Sequence, residues 1–145
     1  MKNVFTVIVL ALLLIATESC RRKGNETLRN GGLTTDMIKD STRVSFAETE
    51  FVFDTINQGD KVEHIFAFTN TGDKDLIIAN AFGSCGCTVP EYPKEPIAPG
   101  KSGEVKVTFN SAGKEGNQKK SITMVMNTAL RNEVVYLSGF VVKKE

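Results

Sequence analysis

Short runs of alternating apolar and polar residues, separated by turn residues, begin after residue 43. The clearest are 62–70 and 104–109, where every second residue is apolar over much of the run. Because successive side chains of a strand point to opposite faces, such runs predict strands with one buried face. No run has a helical period, and no stretch offers the ten or so residues of a crossover helix, which argues against a parallel α/β arrangement.

The spacing of these runs predicts an all-β chain. The predicted strands are 44–46, 50–53, 62–70, 76–82, 104–109, 119–127 and 133–142. The run 76–82 is almost continuously apolar, which predicts a central strand. The predicted core includes Phe66, Phe68, Val107, Phe109 and Leu137. About seven short strands with regular turn signals are typical of an immunoglobulin-like antiparallel β-sandwich.

Glycines mark several of the predicted turns. Pro99-Gly100 is expected to turn the chain before the run 104–109. Asn70 and Gly72 are expected to turn it after 62–70, because asparagine and glycine tolerate positive φ. Gly86 is expected to supply the same freedom between two cysteines.

The first 19 residues predict a signal peptide. After Lys2, the run 4–16 is apolar except for Thr6. Its length fits a signal-peptide core of about 7 to 15 residues, whereas a membrane-spanning helix needs about 20. Ser19-Cys20 follow and resemble the lipobox of bacterial lipoproteins, in which the cysteine receives diacylglycerol; the two residues before Ser19 depart from the usual pattern. We expect lipidation of Cys20, and the alternative is an ordinary secreted protein cut near Ala16.

Residues 20–42 are expected to form a flexible linker between the lipidated cysteine and the domain at 43–145. The segment is rich in Gly, Asn and Thr and shows no sustained period. Its basic start, residues 21–23, favours an anchor facing the periplasm over one on the cell surface. Asp40-Ser41-Thr42 and Asp54-Thr55-Ile56 resemble the O-glycosylation signal of Bacteroidetes secreted proteins, which makes Ser41 and Thr55 candidate glycosylation sites.

Charge and composition disfavour several function classes. The 18 lysines and arginines nearly cancel the 17 aspartates and glutamates, so no whole-molecule field exists to attract nucleic acid. With one histidine, few general bases are available near neutral pH, so we expect no enzyme and no cofactor. His64 is in register with Phe66 and is expected at the end of the core face, hydrogen-bonded. Tyr92 is expected to anchor a loop.

Cys85 and Cys87, separated by one glycine, are the one feature that suggests chemistry, and three interpretations stay open. They form a structural disulfide or remain small apolar side chains. They bind a metal: two thiolates suit soft Cu(I), whereas zinc would need two further ligands, for which His64 on a distant strand is an unsupported candidate. Or they exchange thiols with a partner, although the two-residue spacing of thioredoxin is absent.

Several segments carry a family resemblance. They are FAFTNTG at 66–72, SCGCT at 84–88, IAPGKSG at 97–103, and Asn127. Together they resemble the bacterial domain-of-unknown-function 1573 family over about 44–142. The resemblance implies an exported protein, often a lipoprotein, with an immunoglobulin-like fold similar to major sperm protein and related ciliary and centrosomal domains. It implies no biochemical activity.

These observations predict an exported, membrane-tethered envelope lipoprotein whose domain is a non-catalytic protein-binding or structural module. Its expected contacts are the membrane, through lipid on Cys20, and an envelope protein. The alternative is a thiol-dependent copper-binding or redox protein that uses Cys85 and Cys87.

Overall fold

The computed structural model describes residues 40–144. The predicted signal peptide, Cys20 and nearly all of the predicted linker lie outside these residues. The described strands are β1 Val44–Phe46, β2 Glu50–Val52, β3 Ile56–Asn57, β4 Lys61–Asn70, β5 Ile78–Gly83, β6 Thr88–Glu91, β7 Ser102–Asn110, β8 Gly116–Met126 and β9 Asn132–Val142. Within residues 40–144, no helix is long and apolar enough to cross a bilayer.

The strands form two sheets, which confirms the predicted sandwich. One sheet has four strands in the order β1-β4-β7-β6, and the other has the order β2-β9-β8-β5, with β3 also paired to β9. Pairing is antiparallel except that β2 and β3 run parallel to β9. The parallel pairs differ from the prediction, because alternation along a strand specifies its buried face but not the direction of its neighbour.

Two strands, β3 and β6, were not predicted. β3 has only two residues, too few to show a period. β6 contains Pro90, which weakens the sequence signal of a strand. The structure accommodates Pro90 because β6 lies at the edge of its sheet and pairs only with β7.

The predicted central position of the run 76–82 is wrong. β5 lies at the edge of the five-stranded sheet and pairs only with β8. Ile78 is buried, but Phe82 points outward and is 49% exposed. A register shift between Ile78 and Asn80 also breaks the simple alternation. The nearly continuous apolar run therefore does not mean that both faces of β5 are covered, because Phe82 lies on an exposed face.

The core lies between the two sheets. All five predicted core residues are buried, with exposures of 2% or less. The alternation of β7 is as predicted, with Val105, Val107 and Phe109 inward and the intervening residues outward. The other buried apolar residues are Phe53, Leu76, Ile78, Ile97, Ile122, Met124, Met126, Val135 and Val141.

The turn glycines differ in part from the prediction. Gly100 has φ of +74°, as expected for the turn after Pro99. Gly72 and Asn70 do not have positive φ. Gly72 is instead a point of close approach, because a Cβ there would lie 2.6 Å from the backbone nitrogen of Arg43. Its small size, rather than its conformational freedom, is what the fold uses.

The strands define two ends of the sandwich. Asn70 and Asn127 lie at one end, called here the Asn127 end, where β4 and β8 finish. The turn between β5 and β6 lies toward the other end. Its Ser84 bonds the backbone of Ser121, six residues before Asn127 and therefore about 20 Å away along the strand.

Candidate functional site

Cys85 and Cys87, the residues that suggested chemistry in the sequence, lie in a turn that joins the two sheets. We call residues 83–88 the cysteine corner: β5 ends at Gly83 in the five-stranded sheet, and β6 begins at Thr88 in the four-stranded sheet. The backbone nitrogen of Ser84 donates to Ser121, and the carbonyl of Cys87 accepts from Asn110, at 2.8 and 2.9 Å. The corner is thus hydrogen-bonded to both sheets.

The structure brings Cys85 and Cys87 together. Their Cα atoms are 5.2 Å apart, and their sulfur atoms lie at disulfide-bonding distance. Both residues are half-buried, and Cys87 packs against the core. This geometry fits the first interpretation, an intramolecular disulfide, while its formation in the cell stays a prediction.

A buried hydroxyl lies beside both sulfur atoms. Thr88 is 3% exposed, and its Oγ1 is 3.7 Å from the sulfur of Cys85 and 3.9 Å from that of Cys87. Within residues 40–144, no other hydrogen-bond partner of this hydroxyl is found. Sequence reasoning missed Thr88 as a site residue, because a threonine at the start of a strand is ordinary for β-structure.

The glycine that shapes the corner is Gly83 and not Gly86. Gly86, which was expected to give the turn conformational freedom, does not adopt positive φ, and a Cβ there would meet nothing within 4 Å. A Cβ on Gly83 would lie 2.6 Å from the carbonyl oxygen of Thr88. The two limbs of the corner therefore approach each other at Gly83, where a side chain has no room.

His64 lies where it was predicted, at the edge of the core. Its ring stacks on Phe51 with centroids 3.7 Å apart, and its Nε2 is 2.8 Å from Glu48 Oε1. Glu48 belongs to the segment that leads from β1 in one sheet to β2 in the other. The contact with His64 on β4 therefore holds this connecting segment against the four-stranded sheet. β7 separates β4 from β6, and His64 is not brought to the cysteines. In the described part of the chain, no three His, Cys, Asp or Glu residues form a group suited to hold a metal ion.

Other predicted residues have clear positions. Tyr92 is half-buried against the core with Lys94 Nζ 3.4 Å from its ring centroid, as expected for a loop anchor. Ser41 and Thr55 are exposed. Their glycosylation stays a prediction.

Asn70 and Asn127 organise the Asn127 end. Sequence reasoning noted Asn70 as a turn residue and both asparagines as parts of a family pattern, but not this role. Asn70 is fully buried, and its amide donates to the carbonyls of Lys74 and Ile97 at 2.7 and 2.8 Å. Asn127 is 2% exposed and donates to the carbonyls of Asp40 and Asp75, both at 2.9 Å. Each amide therefore satisfies backbone groups from separate loops.

The outer faces of the two sheets differ in character. Among residues 40–144, eight large apolar side chains are substantially exposed. Five of them lie on the outer face of the five-stranded sheet: Val52, Phe82, Tyr136, Phe140 and Val142. The outer face of the four-stranded sheet carries Ile65 and Val89.

A charged pair lies on the outer face of the four-stranded sheet. Lys106 Nζ lies 3.0 Å from Glu63 Oε2. The hydrogen bond and positive charge of Lys106 lower the pKa of Glu63, and the same contact raises the pKa of Lys106. Thr108 lies beside the pair and Glu91 is opposite Lys106 on β6, so this face is mainly polar.

Solved structures share the fold at low identity. A protein of unknown function from Porphyromonas gingivalis W83 has a TM-score of 0.61 and 12% identity, over 77% of this chain and 51% of that chain, so this chain spans about half its length. PapD-like domain 7 of human CEP192 has a TM-score of 0.58 and 14% identity, over 73% of this chain and 89% of that domain. The secreted serine protease VesC from Vibrio cholerae has a TM-score of 0.54 and 16% identity, over 74% of this chain and 25% of VesC.

These likenesses show the fold alone, and similarity to major sperm protein stays a prediction. No curated protein matches the chain. The family described as "Protein of unknown function (DUF1573)" matches residues 44–141, which covers most of the sandwich and all of the cysteine corner. The chain therefore belongs to the DUF1573 family.

Proposed function

We propose that this protein is a membrane-tethered, non-catalytic module of the bacterial envelope that binds another exported protein through the outer face of its five-stranded sheet. The observation that carries the proposal is the concentration of exposed apolar side chains on that face. Contiguous exposed apolar surface with a polar rim is typical of protein contact sites.

The apolar side chains are neighbours on adjacent strands. Tyr136, Phe140 and Val142 follow one another on the outward side of β9. Val52 on β2 is 68% exposed and lies opposite Ser138, between Tyr136 and Phe140. We call these four residues the β9 patch.

A groove and an ion pair border the β9 patch. The groove has a volume of about 510 Å³ and is lined by residues including Val52, Asp54, Asn117 and Phe140. Near Tyr136, Lys119 pairs with Glu50 at 3.2 Å. This arrangement offers apolar area for affinity and polar groups at the margin for orientation.

The proposed tether leaves the β9 patch accessible. Asp40 is bonded to Asn127 at one end of the sandwich, whereas the patch extends along β9 toward its last residues. Twenty residue steps separate Cys20 from Asp40 and allow a reach of at most about 70 Å. Attachment through Cys20 would therefore hold the domain near a membrane without covering the patch.

Fractionation of cells that produce the full-length chain tests the tether. We expect the wild-type chain in the membrane fraction, with an acylated N-terminal Cys20 by mass spectrometry. Cys20→Ala should move the folded chain to the soluble fraction, while Cys87→Ala should leave it with the membranes. A soluble wild-type chain with an unmodified N-terminus elsewhere would contradict the tether.

A further inference from the structure

The hydroxyl of Thr88 is placed between two sulfur atoms that are poor acceptors in the oxidised state. It is buried and contacts the sulfur atoms of Cys85 and Cys87 at 3.7 and 3.9 Å. A sulfur atom is a weak acceptor, whereas an ionised acceptor forms a markedly stronger hydrogen bond. This hydroxyl would therefore gain most when the bond opens and one sulfur becomes a thiolate.

The backbone of the corner does not depend on the disulfide. Ser84 donates to Ser121, Thr88 donates to Cys85, and Asn110 donates to Cys87, at 2.8, 3.2 and 2.9 Å. The disulfide closes a loop across one intervening residue, and so short a loop contributes little chain entropy. Opening the bond should therefore leave the corner in place.

The corner is also accessible to another protein. Cys85 and Cys87 are half-buried rather than enclosed. Gly86 is exposed, and the space where its Cβ would lie is empty to 4 Å. An attacking thiolate can therefore approach from the side of Gly86.

We propose that the Cys85–Cys87 pair exchanges two electrons with a dithiol of another exported protein, and that Thr88 is the positioning residue for the departing thiolate. This goes beyond the proposed binding function, which requires no electron transfer.

The exchange balances without a further reagent. A thiolate of the partner attacks one sulfur of the Cys85–Cys87 bond and forms a mixed disulfide, and the bonding electron pair leaves on the other cysteine, where Thr88 donates a hydrogen bond to it. The partner's second thiol loses its proton and attacks the partner's own sulfur in the mixed disulfide, and the cysteine of this chain leaves as a thiolate that takes up a proton. The partner leaves as a disulfide, and Cys85 and Cys87 end as two thiols that have gained two electrons and two protons. In the reverse direction, the thiols of Cys85 and Cys87 reduce a disulfide of the partner to a dithiol, and the Cys85–Cys87 disulfide forms again.

Redox titration of the full chain in glutathione buffers tests the proposal. Cys20→Ser is included so that Cys85 and Cys87 are the only thiols, and the reduced fraction is measured by alkylation and mass spectrometry. Thr88→Val removes the hydroxyl and keeps the shape, and we expect it to shift the equilibrium toward the disulfide by about threefold to tenfold. Thr88→Ser should restore the wild-type ratio.

A second readout separates positioning from packing. In the reduced chain, the alkylation rate rises with pH as the thiolate forms. The midpoint of this rise should lie at higher pH in Thr88→Val and remain near the wild-type value in Thr88→Ser. Equal ratios and equal pH profiles in all three chains would overturn the proposal. A wild-type chain that stays oxidised throughout the titration would also overturn it, whether or not Thr88→Val folds. Binding through the β9 patch should be unchanged in Thr88→Val, so the two proposals fail separately.

Discussion

The side-chain amide of Asn127 donates a 2.9 Å hydrogen bond to the backbone carbonyl of Asp40, 87 residues earlier in the chain. A second amide hydrogen goes to Asp75, and the side-chain oxygen accepts from the nitrogen of Ile77. One buried side chain therefore joins the beginning of the domain, the approach to β5 and the end of β8. The connection fixes where a segment from Cys20 would join the sandwich.

Replacing Asn127 by aspartate should destabilise the domain strongly. Asn127→Asp keeps the shape and the acceptor for Ile77, but it removes both donors and places a carboxylate against two carbonyl oxygens. We expect a loss of about 2 to 4 kcal/mol in the free energy of unfolding, measured by denaturant titration. Asn117→Asp, on the exposed side of β8, is the matched control and should change it by less than about 0.5 kcal/mol. Equal effects at the two positions would contradict the assigned role of Asn127.

Alanine at the two corner glycines should have opposite consequences. Gly83→Ala places a Cβ 2.6 Å from the carbonyl oxygen of Thr88, and we expect a loss of about 1 to 3 kcal/mol. Gly86→Ala meets open space without positive φ, so it should be neutral or stabilise by up to about 1 kcal/mol through the unfolded state. Thermal and denaturant unfolding of both variants measure the difference. The reverse order of stability would show that the corner is shaped at Gly86 after all.

Phe68 and Phe82 offer a test of the assigned faces. Phe68 is 2% exposed and its ring covers Gly103, so Phe68→Ala should cost about 3 to 5 kcal/mol. Phe82 is 49% exposed on an outer face, and Phe82→Ala should cost less than about 1 kcal/mol. The measurement is the midpoint and slope of a denaturant titration. Similar losses for both variants would refute the register of β4 or β5.

The Glu63–Lys106 pair predicts a pH-dependent contribution to stability. Because Lys106 lowers the pKa of Glu63 in the folded state, the contribution is present above the ordinary carboxyl pKa and is lost as the pH falls through the lowered value. Glu63→Gln should therefore be less stable than wild type at neutral pH and equal to it in strong acid. Salt should shrink the difference, since the pair is exposed. A difference that persists unchanged in acid would contradict this origin.

Local patterns predicted the fold well where burial alternates along a single strand. β7 is an example, since its buried residues Val105, Val107 and Phe109 are all apolar. The same logic failed for β5, because an apolar run does not reveal whether its outward residue, Phe82, is covered by another layer. Nor can it reveal that β2 pairs in parallel with β9, since pairing depends on distant segments.

The candidate site was only partly predictable for a similar reason. Cys85 and Cys87 are conspicuous as a pair, but the importance of Thr88 depends on how the corner folds back on itself. Asn70 resembles an ordinary turn residue in the sequence. Its side chain bonds backbone groups of Gly72, Lys74 and Ile97, and only folding brings Ile97 to it.

Site-specific photo-crosslinking in cells tests the proposed binding face most directly. A photoreactive amino acid replaces Phe140 or Ile65 in the full-length chain; these residues are 43% and 47% exposed on opposite outer faces. We predict a discrete crosslinked product from position 140 that is lost with Val52→Asp and retained with Val89→Asp, and no such product from position 65. The same product from both positions, or none from position 140, would contradict binding through the β9 patch.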